Sequence, residues 1–450
     1  MAVPSLAAEE RDSPIAPPSL VARAAGLIAE YGPAAIILTL PLEFTARITR
    51  QPLTRWAMVI TAAAFLYLLL TRRRTLVLPR VASAVALALL VVYAIASWLR
   101  ARAPGSTPPL LDVALYPFVA LMLMNLLLTP REQARAWTAF LASALGVAVL
   151  GFVLYVTHLT IWTPNPVVAH RLNITFADPN ITARFLTLGA AAAVILFATR
   201  HANRWLAIAT ALACAAVVPL TYSRSGLALL VLSLALAVAV AGLAAKQWRR
   251  ALAVAACAIV LFAASVLATP DTRLRALEAE ATVASLVTGN TVSVPGGGAS
   301  AQSSTDVSAL EDNRRYLIAA GVRMFEDHPL LGVGFGAYQH RLATTYRHYI
   351  PSNVPNPDVA SHTAFITIAA ELGAVGLLIL FALLVLLARE AVLNRRIVYA
   401  TTAATLIVPI ILYSQFEGRF LEEPYLWLML ALFYGAIAGR RMLKVGSHNI

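Results

Sequence analysis

Charge is scarce in this sequence. Only 13% of its 450 residues are Asp, Glu, Lys or Arg, against about a quarter in an ordinary soluble domain. Lysine is nearly missing, since two of the 35 basic residues are lysine and the others are arginine. Cysteine is limited to Cys214 and Cys257, both inside apolar runs. That excludes a disulfide framework and a cysteine-built zinc site, and both read as small core residues. There is no GxxxxGKS or GxxxxGKT loop, no HExxH, no internal repeat and no heptad run. P-loop nucleotide binding and zinc-peptidase chemistry therefore have no support. What is abundant is apolar. Hydrophobic residues make up 60% of the chain and mean hydropathy is +0.75, which points to a multi-span, all-α membrane protein.

The net charge of +13 would suit a nucleic-acid binder, but the arginines lie in short clusters between apolar runs. That is a topology signal, so membrane lipid and not nucleic acid is the expected partner. Runs long enough to span fall near 24–43, 54–71, 81–99, 110–128, 136–159, 181–199, 204–220, 225–244, 251–268, 364–388, 397–415 and 423–439. Each matches a hydrocarbon core of about 30 Å at about 1.5 Å rise per residue. Gly32-Pro33 interrupts the first. With the N-terminus cytoplasmic, the short cytoplasmic loops hold 17 basic residues and the opposite short loops hold 8. Both termini are then expected inside. The chain divides into a cytoplasmic tail (1–23), nine spans (24–268), an extracytoplasmic loop (269–363), three spans (364–439) and a second cytoplasmic tail (440–450).

The 95-residue loop has two halves. TGNTVSVPGGGASAQSSTD is Gly/Ser-rich and reads as flexible linker. EDNRRYLIAAGVRMFED (311–327) spaces Leu317, Ile318, Gly321, Met324 and Phe325 as one face of an amphipathic helix lying on the bundle or the bilayer surface. Pro329 ends that helix. Gly332, Gly334 and Gly336 follow in LLGVGFG, a tight loop. The glycine spacing is not that of a dinucleotide fingerprint, and no strand precedes it, so no nucleotide is expected.

Arg224 stands in TYSRSG (221–226), a polar hairpin between two spans. It reads either as a snorkelling or turn arginine, or as an anion site on the outer rim, because a guanidinium fork suits phosphate oxygens. Arg314 and Arg315 begin the amphipathic helix, as a solvated face or as further members of a diphosphate clamp. His362 opens the tenth span in SHTAFITIAAELGAVG (361–376). A helix N-terminus disfavours imidazolium, so a neutral ring able to take a hydroxyl proton is expected there. A capping or surface histidine is the other reading. Glu371, with Gly373 and Gly376, reads as a close-packing feature inside the span. FADPNITAR (176–184) opens the sixth span, with Asn180 the expected N-cap. Asp178 and Arg184 are polar at a membrane edge and either structural or site-lining.

TYSRSG (221–226), the arginine before FEDHPLLGVGFGAY (325–338), SHTAFITIAAELGAVG and FADPN together resemble the O-antigen ligase and O-antigen polymerase superfamily of bacterial envelope proteins. The resemblance covers roughly residues 170–380. It implies a GT-C-like bundle with one large periplasmic loop, in the inner membrane. It also implies a metal-independent, inverting glycosyltransferase without a cofactor. The donor is then an O-antigen glycan on undecaprenyl diphosphate, and the acceptor in a ligase is the lipid A–core oligosaccharide. The family's two arginines fall on Arg224 and, fifteen residues before Pro329, on Arg314. Arg315 stays open, because the aromatic expected four residues after the arginine is replaced by Ile318. The family histidine falls on His362, followed here by Thr363 where the family often has Asn. Asp178, Asn180, Arg184 and Arg315 join the arginines as candidate substrate-binding residues. Pro329, Gly332, Gly334 and Gly336 shape the loop. A polymerase or a protein O-oligosaccharyltransferase would share the donor. Outside enzymes, a lipid-linked glycan transporter remains, although the polar motifs gather on one rim and not at the midplane.

Overall fold

The computed structural model of the chain describes residues 19–162, 171–270, 272–273, 277, 303–351, 361, 363–418 and 420–446, with the side chains of 303–314, 417 and 444–446 outside the description. Among the described residues the α-helices with given bounds are α1 (Leu20–Thr39), α2 (Ala46–Thr49), α3 (Leu53–Leu70), α4 (Ala82–Ala101), α5 (Thr107–Leu126), α6 (Pro130–Thr157), α7 (Pro179–Ala198), α8 (Arg204–Val217), α9 (Arg224–Ala245), α10 (Trp248–Ala268), α11 (Ser303–Asp327), α12 (Tyr338–Ala343), α13 (Ala364–Leu393), α14 (Val398–Glu417) and α15 (Pro424–Gly446). Among the described residues there is no strand. Among the described residues twelve helices are long and apolar enough to cross a membrane. The protein is an all-α integral membrane protein.

Boundaries shift where local chemistry extends a helix beyond its apolar run. α6 starts at Pro130, six residues ahead of the apolar run. Thr129 Oγ1 accepts from the Glu132 amide at 3.2 Å, and Glu132 Oε2 accepts from the Thr129 amide at 2.8 Å. This capping box satisfies two amides that would otherwise lack partners. α1 is not interrupted: it continues through Pro33, with Gly32 against Thr61 of α3.

α7 is the central span, with 89% of its best apolar window buried. Its Ala190–Ala193 run and Gly189 let neighbours approach closely. A Cβ on Gly189 would stand 2.5 Å from the Ala144 Cβ. Small residues bring helices together where apolar burial gives no drive against lipid. Cys214 is buried as expected, but Cys257 is exposed on α10, facing away from the bundle.

Connection by connection, the spans alternate in direction. One end of the bundle, here the loop end, therefore collects the starts of α7, α9, α13 and α15 and the end of α4. α11 packs on the bundle. Tyr316, Leu317, Ala320, Gly321 and Met324 are buried, packed on Val333, Tyr338, Leu342, Tyr346 and Ala370. Ile318 is exposed and Phe325 half-buried, so neither belongs to the buried stripe. The face runs through 317, 320, 321 and 324, and Ile318 lies about 100° around the helix from Leu317.

Candidate active site at the loop end of the bundle

Two turns meet beneath Arg224. In the first, Asp178 and not Asn180 caps α7: its Oδ1 accepts from the Asn180 amide at 2.6 Å, and Pro179 takes the first helical position. Proline suits that position because its missing N–H would have had no intrahelical partner. The Asn180 side chain is thereby released for tertiary contacts. Its Oδ1 accepts from Arg171 Nη2 at 2.9 Å and from Ser223 Oγ at 2.8 Å. In the second turn, Tyr222 has φ +52°, a left-handed residue that turns the chain into α9. Ser223 caps α9 and accepts from the Gly226 amide at 3.1 Å. Arg171 Nε donates to the Thr221 carbonyl at 3.2 Å, strapping one turn to the other.

Arg224 is the first residue of α9 and is half-buried. Among the described residues its guanidinium makes no hydrogen bond or ion pair. It stands at a helix N-terminus, where free amides and the helix dipole also favour an anion. Arg184, one turn into α7, is placed differently. It is 3% exposed and its Nη1 lies 2.6 Å from Glu423 Oε2, with the Tyr425 ring 5.4 Å from its Cζ. Glu423 in turn accepts from the Tyr425 amide at 3.2 Å. Arg184 thus ties α7 to the start of α15 beneath the rim.

The glycine-rich loop docks into a break in α13. Gly373 has φ +65° and ψ −162°, which interrupts the helix ladder. The freed backbone groups pair with the loop. Val333 N donates to Ala370 O at 2.8 Å and Gly334 N to Glu371 O at 3.0 Å, while Ala374 N donates to Pro329 O at 2.8 Å. Backbone lies on backbone, and only glycine permits it. A Cβ on Gly332 (φ +64°) would stand 2.3 Å from the Glu371 carbonyl carbon, and one on Gly373 would stand 2.4 Å from Leu330 O. A Cβ on Gly334 would stand 2.1 Å from the Ala101 Cβ, and one on Gly336 2.9 Å from the Ser106 Cβ. The Glu371 carboxylate, 5% exposed, accepts from the Tyr338 amide at 3.0 Å and also from the Gly336 amide. Arg100 Nη2 donates to the carbonyls of Leu331 and Gly332 at 2.9 and 2.8 Å. Tyr93 OH reaches Leu372 O at 3.0 Å. With the amides of Val333, Gly334, Gly336 and Tyr338 so engaged, the loop has none of these left to cradle a phosphate.

The docked loop carries α11. The Tyr338 hydroxyl donates to the Leu317 carbonyl, and Tyr346 OH donates to Asp327 Oδ2 at 2.9 Å. Burial raises the Tyr338 phenol well above its ordinary value. Burial first, then the hydrogen bond to Asp327 and the Asp327 charge, push Tyr346 up to about 12. Arg315 is exposed on α11. The Arg314 side chain and His362 lie outside the described residues. The described neighbours Arg315, Ser361 and Thr363 lie at the loop end. Ser361 is buried, its Oγ accepts from the Thr363 amide at 3.1 Å, and Thr363 precedes α13.

The structure adds three residues to the candidate set. Arg171 appeared in the sequence as one rim charge among eight. Ser223 was visible only as part of TYSRSG. Glu371 was visible as an acid inside a span, a costly placement that signals a special role. Its actual partners, two loop amides more than thirty residues earlier, leave no local pattern.

Residues 208–381 match the family model described as O-antigen ligase. The match takes in Arg224, Arg314, the loop from Pro329 to Gly336, position 362 and Glu371, and leaves out FADPN at 176–180. A search of the curated proteins returns no match. The match shows that residues 208–381, which hold Arg224 and the docked loop, are similar to the O-antigen ligase family.

Proposed function

We propose that the protein is an O-antigen ligase of the bacterial inner membrane, with both termini cytoplasmic and the site at the periplasmic face. It moves an O-antigen glycan from undecaprenyl diphosphate to the lipid A–core oligosaccharide. The observation that carries this reading is Arg224. It is a half-buried cation at a helix N-terminus, without an anionic partner among the described residues, inside the segment that matches the family. A lipid-linked diphosphate presents its charge at this depth.

In the proposed reaction Arg224 and Arg314 hold the diphosphate and stabilise its negative charge as the glycosidic bond to phosphate breaks. Arg315 is the alternative to Arg314. The acceptor hydroxyl attacks the anomeric carbon from the opposite face and inverts it, and His362 takes the hydroxyl proton. Undecaprenyl diphosphate leaves. The two arginines supply the positive charge that a metal ion supplies in other transferases. The strap through Arg171, Asn180 and Ser223 holds Arg224 in register, and the docked loop brings α11 to the start of α13.

The test is to mix purified protein with lipid-linked O-antigen and lipid A–core, with chelator and without nucleotide. A ladder of high-mass lipopolysaccharide is expected. Polymer formed from donor alone would replace the ligase by a polymerase, and no reaction from folded protein would return the question to transport. His362→Ala is expected to abolish transfer while the protein still folds and binds donor.

A further inference from the structure

At the end of the bundle opposite the loop, a cavity of about 220 Å³ opens between the end of α13, the start of α14 and the end of α15. Arg396, Arg440, Arg441 and Asn394 line it, with Leu393 and Ile437 as apolar walls. Arg396 and Arg440 are exposed, and among the described residues neither makes an ion pair. Arg441 Nη1 donates to the Arg80 carbonyl at 2.7 Å, which fixes it and brings a fourth arginine nearby.

The acids at this end are all engaged elsewhere among the described residues. Glu132 pairs with Arg74 at 3.3 Å and Glu30 with Arg135 at 2.7 Å. Glu390 lies one turn before the cavity, but it is buried and turned to α4. Its carboxylate accepts from the Ser83 amide at 3.0 Å and from the Ser83 hydroxyl, and Tyr434 OH donates to that hydroxyl at 3.0 Å. The cavity therefore concentrates positive charge that no carboxylate among the described residues offsets. Val392, Leu393, Met442 and Leu443 are exposed beside it and face outward like the lipid-facing side chains of the spans.

We propose that this cavity binds the phosphate of an anionic phospholipid, with the acyl chains lying along Val392, Leu393 and Leu443. Guanidinium forks match phosphate oxygens, and basic pockets between spans hold anionic headgroups. The exposed apolar flank favours a lipid over a free phosphate, which has nothing to place there. The site is separate from the donor site by the length of α13, 30 residues, and does not depend on the proposed reaction.

The test is native mass spectrometry of the purified protein in neutral detergent, with dioleoyl phosphatidylglycerol or dioleoyl phosphatidylcholine added. Retention of phosphatidylglycerol over phosphatidylcholine is expected. Each basic residue near an anionic lipid is worth about fivefold, so Arg396→Gln with Arg440→Gln should lower retention about thirtyfold. Arg396→Gln alone, expected to lose about fivefold, serves if the double variant does not fold. Arg47→Gln, an exposed arginine at the loop end, should lose nothing. Equal retention by the cavity variants overturns the proposal. So does displacement of phosphatidylglycerol by millimolar inorganic phosphate, which would make the site one for free anions.

Discussion

Replacing Gly332 by alanine is expected to undock the glycine loop from α13, and two other glycines isolate the reason. The first contribution is backbone strain. Gly332 has φ +64°, and a left-handed conformation costs an ordinary residue about 1–2 kcal/mol. The second is close approach. The new Cβ would stand 2.3 Å from the Glu371 carbonyl carbon and 2.6 Å from the Leu372 amide nitrogen. Backbone atoms cannot rotate aside, and forcing atoms into packed space costs about 1–3 kcal/mol. The total is about 2–5 kcal/mol, enough to open a local unit without unfolding the bundle. Gly105 has φ +78° with nothing within 4 Å of its Cβ position, so Gly105→Ala should show the strain alone. Gly146 lies in α6 with the same open space and no positive φ, so Gly146→Ala should be neutral or stabilising. Hydrogen exchange of residues 328–346 and limited proteolysis in detergent would rank the three. Equal protection of the loop in Gly332→Ala and Gly105→Ala would refute the docking argument. Loss of loop protection with glycan transfer intact would refute the link between docking and activity.

Arg224→Ala is expected to lower the transfer rate at least about a hundredfold, the scale of one lost donor to a developing anion. Arg224→Lys keeps the charge without the fork and should recover part of it. Asn180→Ala removes the acceptor shared by Arg171 and Ser223, and two hydrogen bonds at about 1 kcal/mol each predict a loss of ten- to thirtyfold in transfer, read by the same assay with melting temperature as the folding control. Tyr346 predicts a pH effect. Its phenol titrates higher in the folded chain than the ordinary tyrosine value of 10.0, so its stabilisation is full below about pH 10 and is lost as pH rises through about 12. Proteolysis of the segment joining α11 to α12 should accelerate over that window, and Tyr346→Phe should remove the pH step.

The twelve spans were legible because hydrocarbon thickness fixes run length, and an apolar run has few other uses. Their exact ends were less so, since Thr129 and Glu132 extend α6 by capping chemistry outside the apolar run. The stripe on α11 was read with Ile318 and Phe325 on it, because a short apolar patch fits several faces until a partner chooses one. The partner is the loop with Tyr338 and Val333. The cap at Asp178 was displaced to Asn180 in the sequence reading, although Pro179 at the first helical position was the clue.

By itself the sequence determined the all-α membrane class, the polar motifs gathered on one rim, and a tight turn after Pro329. These follow from composition and from the local geometry of proline and glycine, which act on their immediate neighbours. Only the tertiary structure decided what the turn is for. The break at Gly373 presents carbonyls and amides that a continuous helix would have consumed, and the loop supplies their partners from some forty residues earlier in the chain. Nor could the sequence show that Arg184 meets Glu423 beneath the rim, while Arg224 lacks such a partner among the described residues. Both arginines sit near the start of an apolar helix. Which of them meets a carboxylate depends on a chain segment about 240 residues from Arg184, and only folding brings the two together.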